Sequence, residues 1–382
     1  MGLARLMKMA FDGADLAPLG QSLISRAEKD PDDADALMDL SIILQLKYQP
    51  EIALDVQARA LGIKTLYHLP AAGNAAIRLL AIMAPGNLMT NTPLEFMVEG
   101  STISLDMLYV GTGLPLPSPL PDHELLFIAV GESTGTRPLL EELAEIMKEW
   151  PRPVLNQPGS ILKTSREEAP ACLAPIAEVI MPSSLRTARG TLATGPLPAF
   201  PFIIRPVDSH AGHGLAKIEN AGEILSYLEA MPEPAFFVSP FFDYKSADGM
   251  YRKYRVLLID GQPYACHMGT SENWMIHYLN AGMAESPEKR EEEARFMADF
   301  DTGFGKRHRV ALQGIHAALH LDYLVIDCAE TRDGRLLVFE MDTGAVVHAM
   351  DPADVFPYKA PQMKKVFSAF YDMLTSTLDA HV

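Results

Sequence analysis

Residues 200–218 read FPFIIRPVDSHAGHGLAKI, which joins an apolar run, a cation and a glycine-containing loop. The apolar run predicts a buried strand ending at Arg205, and Ser209, Gly212 and Gly214 follow in the loop before a second strand. Glycines allow a backbone to approach phosphate oxygens and to point its N–H groups at them. No GK[ST] sequence closes the loop, so it is not a Walker loop. Alone, this segment favours a β-hairpin over a phosphate-binding loop.

Further segments combine apolar strands with polar ends. Residues 235–242 read AFFVSPFF, a strand that leads into an aromatic segment suited to the edge of an adenine ring. Residues 251–262 predict a strand that begins with basic side chains and ends in an Asp-Gly turn. Residues 323–330 and 336–342 predict a strand pair joined by the turn 332–334. The order of these segments is more specific than any one of them.

Three carboxylates lie in the last strand pair. Alternation along the strand puts Glu340 and Asp342 on one side, and Asp327 on the partner strand can join them. Buried carboxylates are unfavourable unless a cation compensates them, and oxygen ligands near phosphate suit Mg²⁺. The alternative is a solvated strand edge, but the apolar neighbours Val325 and Val338 indicate buried strands. We therefore expect a magnesium site.

The order of basic strand, glycine loop, apolar hinge, Arg-bearing strand and Asp…Glu-x-Asp resembles the ATP-grasp superfamily. That superfamily includes glutathione synthetases, D-alanine–D-alanine ligases and the ligases that add glutamate to a ribosomal protein. The resemblance covers residues 198–352 best. It implies an ATP- and Mg²⁺-dependent ligase that joins a carboxylate to an amine through an acyl phosphate and releases ADP and phosphate. A phosphotransferase would need a phospho-acceptor domain that the sequence does not indicate; a degenerate nucleotide-binding adaptor remains the alternative.

The resemblance also assigns roles to single residues. It implies that ATP contacts Lys163, Arg205, Ser209, Gly212, Gly214, Val238, Ser239 and Phe241. It implies that Asp327, Glu340 and Asp342 hold magnesium, with two ions offsetting their charge. Three positions depart from the family pattern: Arg205 replaces a lysine, Ser239 an acidic or amide residue, and Asp342 an asparagine.

Arg255 is the first choice for steadying the transferring phosphoryl group or the substrate carboxylate, because a guanidinium forms paired hydrogen bonds to either. Many relatives carry an arginine two residues before the metal-binding aspartate, where this chain has Val325. Arg307 and Arg309 are the candidates to supply that charge instead.

Residues 271–278 read SENWMIHY and follow the Arg-bearing strand, where relatives present residues to the substrate. This composition predicts an acceptor pocket or, equally, a packed aromatic corner. His267 and His277 are candidate bases. Candidate substrate contacts are His267, Asn273, Trp274, Tyr278 and His348. His210 and His213 lie in the glycine loop, as phosphate contacts or as loop hydrogen-bonding residues. The acidic run 285–293 predicts a solvated helix face.

The first half of the chain predicts a different organisation. Residues 1–70 are helical, and a hairpin of two helices within them resembles one tetratricopeptide unit. We expect this hairpin to pack on its own chain, the alternative being a peptide groove. Residues 71–160 alternate strands with a helix at 136–150, which predicts a Rossmann-like parallel α/β domain. The remainder, 161–382, would be the ATP-grasp domain (161–240 and 241–382), an α+β arrangement within an α/β chain.

Composition limits the functional classes. A length of 382 residues predicts two or three domains. A net charge of −17 argues against binding nucleic acid or an anionic membrane, so small-molecule or peptide carboxylates and amines are the expected partners. Three distant cysteines and no apolar run of transmembrane length favour a reducing cytoplasm. A homodimer is left open.

Overall fold

The computed structural model describes residues 1–192, 194–209 and 212–381, without the side chain of Leu279. The described chain is a mixed α/β protein that divides into two compact units. The first unit comprises Met1–Leu162 with Thr343–Val382, and the second comprises Lys163–Asp342. Among the described residues, no helix has both the length and the apolar character needed to cross a membrane.

The helices and strands are numbered in chain order. The helices are α1 (Leu3–Phe11), α2 (Ala17–Lys29), α3 (Ala34–Leu46), α4 (Pro50–Ile63), α5 (Leu94–Val98), α6 (Arg137–Ile146), α7 (Pro158–Ile161), α8 (Ala169–Leu173), α9 (Ala221–Ala230), α10 (Pro287–Ala298), α11 (Phe304–Arg307), α12 (Arg309–Leu319) and α13 (Lys359–Asp379). The strands are β1 (Leu66–Leu69), β2 (Ile77–Met83), β3 (Ile103–Tyr109), β4 (Leu125–Ile128), β5 (Val154–Leu155), β6 (Val179–Ile180), β7 (Leu185–Ala188), β8 (Phe202–Pro206), β9 (Ala216–Ile218), β10 (Ala235–Pro240), β11 (Tyr251–Ile259), β12 (Gln262–Ser271), β13 (Tyr323–Glu330) and β14 (Leu336–Asp342).

The first unit contains a five-stranded sheet in the order β1-β3-β2-β4-β5. Strands β3, β2, β4 and β5 are parallel, and β1 adds to the edge in antiparallel fashion. Apart from the exposed Arg78, strand β2 is apolar and buried on both faces, which is typical of a parallel sheet covered on both sides. The predicted parallel α/β sheet is therefore confirmed.

Four helices precede this sheet. The two predicted hairpin helices are present as α3 and α4, and α1 and α2 come before them. Nine residues of α3, from Ala34 to Ile43, are buried, so this helix is enclosed by its own chain. Leu6, Leu23 and Ile43 lie together in the core of this helical region.

The predicted domain boundaries differ from the observed division. Residues 343–382 belong to the first unit instead of ending a domain 161–382. The reason is packing: Phe370 on α13 contacts Phe127 on β4 with ring centroids 6.0 Å apart. The segment 1–70 is not separate either, because β1 pairs with β3.

The second unit contains a small antiparallel sheet in the order β7-β10-β8-β9. One face forms an apolar core in which Phe202, Ile204 and Val238 pack with Ile224 of α9. Alternation places Arg205 on the opposite face of β8. The predicted hairpin is thus present as β8 and β9, and its loop lies at the edge of this sheet.

The second unit also contains a large sheet in the order β12-β11-β13-β14-β6. Neighbouring strands are antiparallel except for β14 and β6. Helices α10 and α11 cover one face, where Tyr254 packs on Phe296 and Phe304 with centroids 5.0 and 4.6 Å away. The other face carries the charged side chains described below.

Two glycines in the β8–β9 loop offer a matched test of loop geometry. Both have positive φ, +75° at Gly212 and +63° at Gly214. A Cβ at Gly214 would lie 2.6 Å from Cδ of Pro206, whereas one at Gly212 would have no atom within 4 Å. The carbonyl of Gly214 also accepts a hydrogen bond from Tyr227 Oη at 2.7 Å.

We expect Gly212→Ala to lower the free energy of unfolding by about 1 kcal/mol, since alanine only adopts an unfavourable left-handed conformation there. Gly214→Ala should lower it by roughly 3 kcal/mol, because overpacking adds to the same backbone term. Urea unfolding at neutral pH measures both variants. Equal losses would contradict the close contact with Pro206.

Candidate active site

Charged residues from three strands share the face of the large sheet that lies opposite Tyr254. Arg255 on β11 pairs in register with Asp327 on β13, and Asp327 pairs with Glu340 on β14. Lys253 and Asp342 lie two residues along their strands from Arg255 and Glu340, so they point to the same face. The alternation predicted for the three carboxylates is therefore present in the strand register.

The side chain of Asp327 is buried and forms ion pairs with two basic side chains. Arg255 donates Nε–H to Oδ1 at 2.7 Å and Nη2–H to Oδ2 at 3.0 Å, and Lys253 Nζ lies 2.7 Å from Oδ2. Burial would raise the pKa of Asp327, but Arg255 and Lys253 outweigh burial and hold this pKa far below its ordinary value. Asp327 is therefore ionised at neutral pH.

Glu340 is paired with a different arginine. Arg166 donates Nη2–H to Glu340 Oε1 at 2.5 Å and Nη1–H to the carbonyl of Phe339 at 3.2 Å. The register between β13 and β14 shifts at this point, which leaves Phe339 as the extra residue of a β-bulge. Burial would raise the pKa of Glu340, but Arg166 and Arg205 lower it below its usual range. The side chain keeps 39% of its exposure, so it remains open to a ligand.

Arg205 brings a second cation from the small sheet toward Glu340. Its Nε–H donates to Ser209 Oγ at 3.1 Å, and Nη2–H donates to the Ser209 carbonyl. Burial, together with the repulsion from Arg166, lowers the pKa of Arg205 to about 10. Within the described ranges, no carboxylate forms an ion pair with Arg205. This positive charge is therefore available to an anion.

Two histidines extend the group on the β12 side. His267 on β12 is the register partner of Arg255, and its ring stacks on Tyr278 with centroids 4.5 Å apart. Burial lowers the pKa of His277, and the positive charges of Lys253 and Arg255 lower it further. His277 is therefore neutral at pH 7 and able to accept a proton.

The side chains predicted to bind ATP lie in different environments. Arg205 and Ser239 lie on the face of the small sheet opposite its apolar core, and Ser209 lies in the β8–β9 loop. Val238 points the other way into the apolar core and is fully buried, so its side chain does not face Arg205. Lys163 lies in a short 3₁₀ turn and is partly buried.

The aromatic segment after β10 also carries a cation. Lys217 on β9 places Nζ 4.2 Å from the centre of the Phe241 ring, and Trp274 meets the same ring edge-on with centroids 5.7 Å apart. This arrangement provides an aromatic edge next to a positive charge. Of the loop histidines, His213 Nε2 lies 3.4 Å from Glu233 Oε1, and His210 lies outside the described residues.

Several predicted residues are not brought to this group. Arg309 begins α12 and is exposed. Its neighbour Arg307 pairs with Glu330 at 2.8 Å, and Glu330 accepts a hydrogen bond from Tyr254 Oη at 3.3 Å on the helix-covered face of the sheet. The structure therefore gives no support to Arg307 as a substitute for the missing arginine at Val325.

Two of the residues predicted to contact the substrate, His348 and Asn273, have structural roles instead. His348 lies in the first unit, where its ring packs on Phe11 and Phe96 with centroids 5.5 and 6.5 Å away. Asn273 is exposed in the turn after β12, and its N–H donates to Ser271 Oγ at 3.1 Å. Both placements correspond to packing or turn formation.

The magnesium assignment stays a prediction, and the observed arrangement does not fit it. Both oxygens of Asp327 accept hydrogen bonds from cationic side chains, and Glu340 Oε1 accepts one from Arg166. Across the described ranges, no group of three or more His, Cys, Asp and Glu side chains is placed to hold a metal ion. Lys253, Arg255 and Arg166 supply the compensating charge that buried carboxylates require.

Sequence reasoning missed two cations of this group. Lys253 could have been found, because it lies two residues before Arg255 and alternation puts both on one face. Arg166 gave no local signal, since its contact with Glu340 joins residues 174 positions apart. The resemblance to the ATP-grasp superfamily pointed to the nearby Lys163 instead.

Comparisons with known proteins gave structural matches only. No family model matches the chain, and no curated protein matches its sequence. D-alanine–D-alanine ligase from Bacillus anthracis, solved with ATP, is 13% identical with a TM-score of 0.46, over 79% of this chain and 97% of that one. VanG D-Ala:D-Ser ligase from Enterococcus faecalis is 14% identical with the same TM-score, over 80% and 99%. Similarity at this level does not establish a common fold or activity.

Removing Arg255 should destabilise the protein, because it leaves the buried Asp327 with a single cationic partner. We expect Arg255→Ala to lower the free energy of unfolding by roughly 3 kcal/mol. Arg335→Ala is the matched control, since Arg335 Nη2 pairs with Asp333 at 2.7 Å on the surface. The control should change stability much less. Urea unfolding that gives equal losses would exclude a special role for the buried pair.

The depressed pKa of Asp327 also predicts a pH dependence. A carboxylate with a lowered folded-state pKa contributes stability above its ordinary value of 3.8, and this contribution falls as the pH drops. We expect Asp327→Asn to be less stable than wild type at pH 7, and the difference to narrow progressively as the pH falls below about 4. Urea unfolding across this range tests the prediction; a constant difference would contradict it.

Proposed function

We propose that the second unit is an ATP-dependent ligase of the ATP-grasp kind that joins a carboxylate to an amine. One observation carries the proposal: Arg205 from the small sheet and Arg166 approach the carboxylate row of the large sheet. Among the described residues Arg205 forms no ion pair with a carboxylate, and the charge of Glu340 attracts both Arg205 and its ion-pair partner Arg166. Such a group suits a polyphosphate, whose negative charge increases at the transferring phosphoryl group.

The chain as a whole is strongly acidic, with a net charge of −17. An anionic ligand is therefore held by local cations against the overall field. Four cations, Arg166, Arg205, Lys253 and Arg255, supply that local charge around Asp327 and Glu340. The aromatic edge formed by Phe241 and Trp274 suits the purine base.

The proposed reaction has two steps, transfer of a phosphoryl group to a carboxylate and then attack by an amine. A substrate carboxylate oxygen attacks the γ-phosphorus, the bond from that phosphorus to the bridging oxygen breaks, and ADP leaves with the electron pair. An amine then attacks the acyl carbon, phosphate leaves, and the amine loses a proton. Arg255 is positioned by Asp327 and steadies the anionic groups. His277, neutral at pH 7, is the candidate base for the amine proton.

A nucleotide-binding adaptor is the second candidate. The observation that favours it is the pairing with protein cations, which occupies both oxygens of Asp327 and Oε1 of Glu340. An adaptor would bind ATP by the same cations and release no ADP.

Nucleotide binding tests the first step. We expect Arg205→Ala to weaken ATP binding about 10- to 100-fold, because loss of a charge-assisted hydrogen bond to phosphate is worth roughly 1.5–3 kcal/mol. Titration calorimetry with ATP and MgCl₂ measures the change, and Arg335→Ala serves as the control because it lies in an exposed turn. Equal affinity in wild type and Arg205→Ala would remove the proposed phosphate contact.

The second step is tested by a screen for ADP release over mixtures of carboxylates and amines, with products identified by mass. Any active mixture should lose activity in Glu340→Gln while the variant keeps its thermal unfolding midpoint within a few degrees. ATP binding without stimulated ADP release from any mixture would favour the adaptor.

A further inference from the structure

Glu293 departs from the acidic run in which it lies. Helix α10 begins at Pro287, and its acidic residues Glu288 and Glu291 are exposed while Glu292 is partly exposed. Glu293 is fully buried instead. A buried carboxylate needs hydrogen-bond donors, so its partners indicate its role.

Both carboxylate oxygens of Glu293 accept hydrogen bonds. Oε1 accepts from the backbone N–H of Met268 at 3.0 Å, and Oε2 accepts from Tyr278 Oη at 2.8 Å. Met268 lies on β12, an edge strand of the large sheet, where backbone donors have no neighbouring strand on one side. The Met268 N–H requires an acceptor oxygen, which a glutamine would keep. A glutamine could meet the Tyr278 hydroxyl only through its neutral NH₂ group, so the charge-assisted hydrogen bond would be lost.

The second contact leads to the candidate active site. The Tyr278 ring stacks on His267 at a centroid distance of 4.5 Å and an interplanar angle of 22°. His267 is in turn the register partner of Arg255. Glu293, Tyr278 and His267 therefore form a continuous series of contacts that reaches Arg255 from the helix layer.

The hydroxyl of Tyr278 is bonded to Glu293 and not aimed at the charged face. This geometry gives Tyr278 a different role from the substrate contact predicted for it. Its ring fixes the imidazole of His267 on one side. Its position at the start of the turn Tyr278–Asn280 also fixes His277, whose N–H donates to Asn280 Oδ1 at 3.1 Å.

We propose that Glu293 is a positioning residue that, through Tyr278, holds the His267 imidazole beside Arg255. The residue touches no reacting group itself. The proposal rests on the proposed function for what the site does, but the contacts can be tested without nucleotide or substrate.

The test uses the full chain with ¹³C-labelled histidine rings, and His267→Gln identifies the signal of His267. Stacking on Tyr278 should shift this signal upfield in wild type. We expect Glu293→Gln and Tyr278→Phe each to cause loss of part of this shift. The double variant should lose no more than the larger single loss, because both changes break the same link.

Glu291→Gln is the matched control, since Glu291 is exposed on the same helix; it should leave the signal unchanged. Thermal unfolding confirms that each variant is folded, and Tyr278→Phe keeps the test valid if Glu293→Gln does not fold. An unchanged His267 signal in folded Tyr278→Phe, or additive losses in the double variant, overturns the proposal. This test uses neither nucleotide nor substrate. A failure of the positioning proposal can therefore be distinguished from a failure of the proposed ligase function.

Discussion

Asp327 is a carboxylate on an interior strand of the large sheet, and the surrounding site depends on how its charge is compensated. Both of its carboxylate oxygens accept hydrogen bonds from Arg255 on β11. Oδ2 also forms an ion pair with Lys253, two residues earlier on the same strand. These ion pairs fix the Arg255 guanidinium between Asp327 and the His267 position on β12. The depressed pKa of Asp327 results from this concentration of positive charge, which also adds to the effect of burial in lowering the pKa of His277.

The two faces of the large sheet explain why the charges collect on one side. Aromatic residues of α10 and α11 cover the face of Tyr254, so polar side chains on that face are few and paired, as Glu330 is with His308 at 2.8 Å. Alternation then sends Lys253 and Arg255 to the other face. The charged group thus lies on the sheet face opposite α10 and α11, and Arg205 of the small sheet is near enough to Glu340 to lower the pKa of that carboxyl.

Much of this arrangement follows from the sequence, because strands with continuous apolar runs have clear ends. The bounds predicted for β13 and β14 agree with the structure, and Asp327 lies opposite Glu340 in the strand register. Two features could not be predicted from the sequence: the contacts between segments far apart in the chain, and the direction in which side chains point at strand ends. Arg166 reaches Glu340 across 174 positions, Val238 faces the core, and α13 packs in the first unit. The expected magnesium ligands were inferred from charge alone, which protein cations can equally balance.

The pairing of Arg166 with Glu340 has a consequence for chain topology. Arg166 lies at the beginning of the second unit and Glu340 near its end, and the parallel pair β6–β14 joins the same two regions through Val179 and Leu336. In sequence, the second unit is therefore an insertion between the two segments of the first, and these contacts join its beginning to its end. Domains with adjacent termini tolerate transplantation and circular permutation, so this unit could have been acquired by, or exchanged between, host chains without disturbing the fold that receives it.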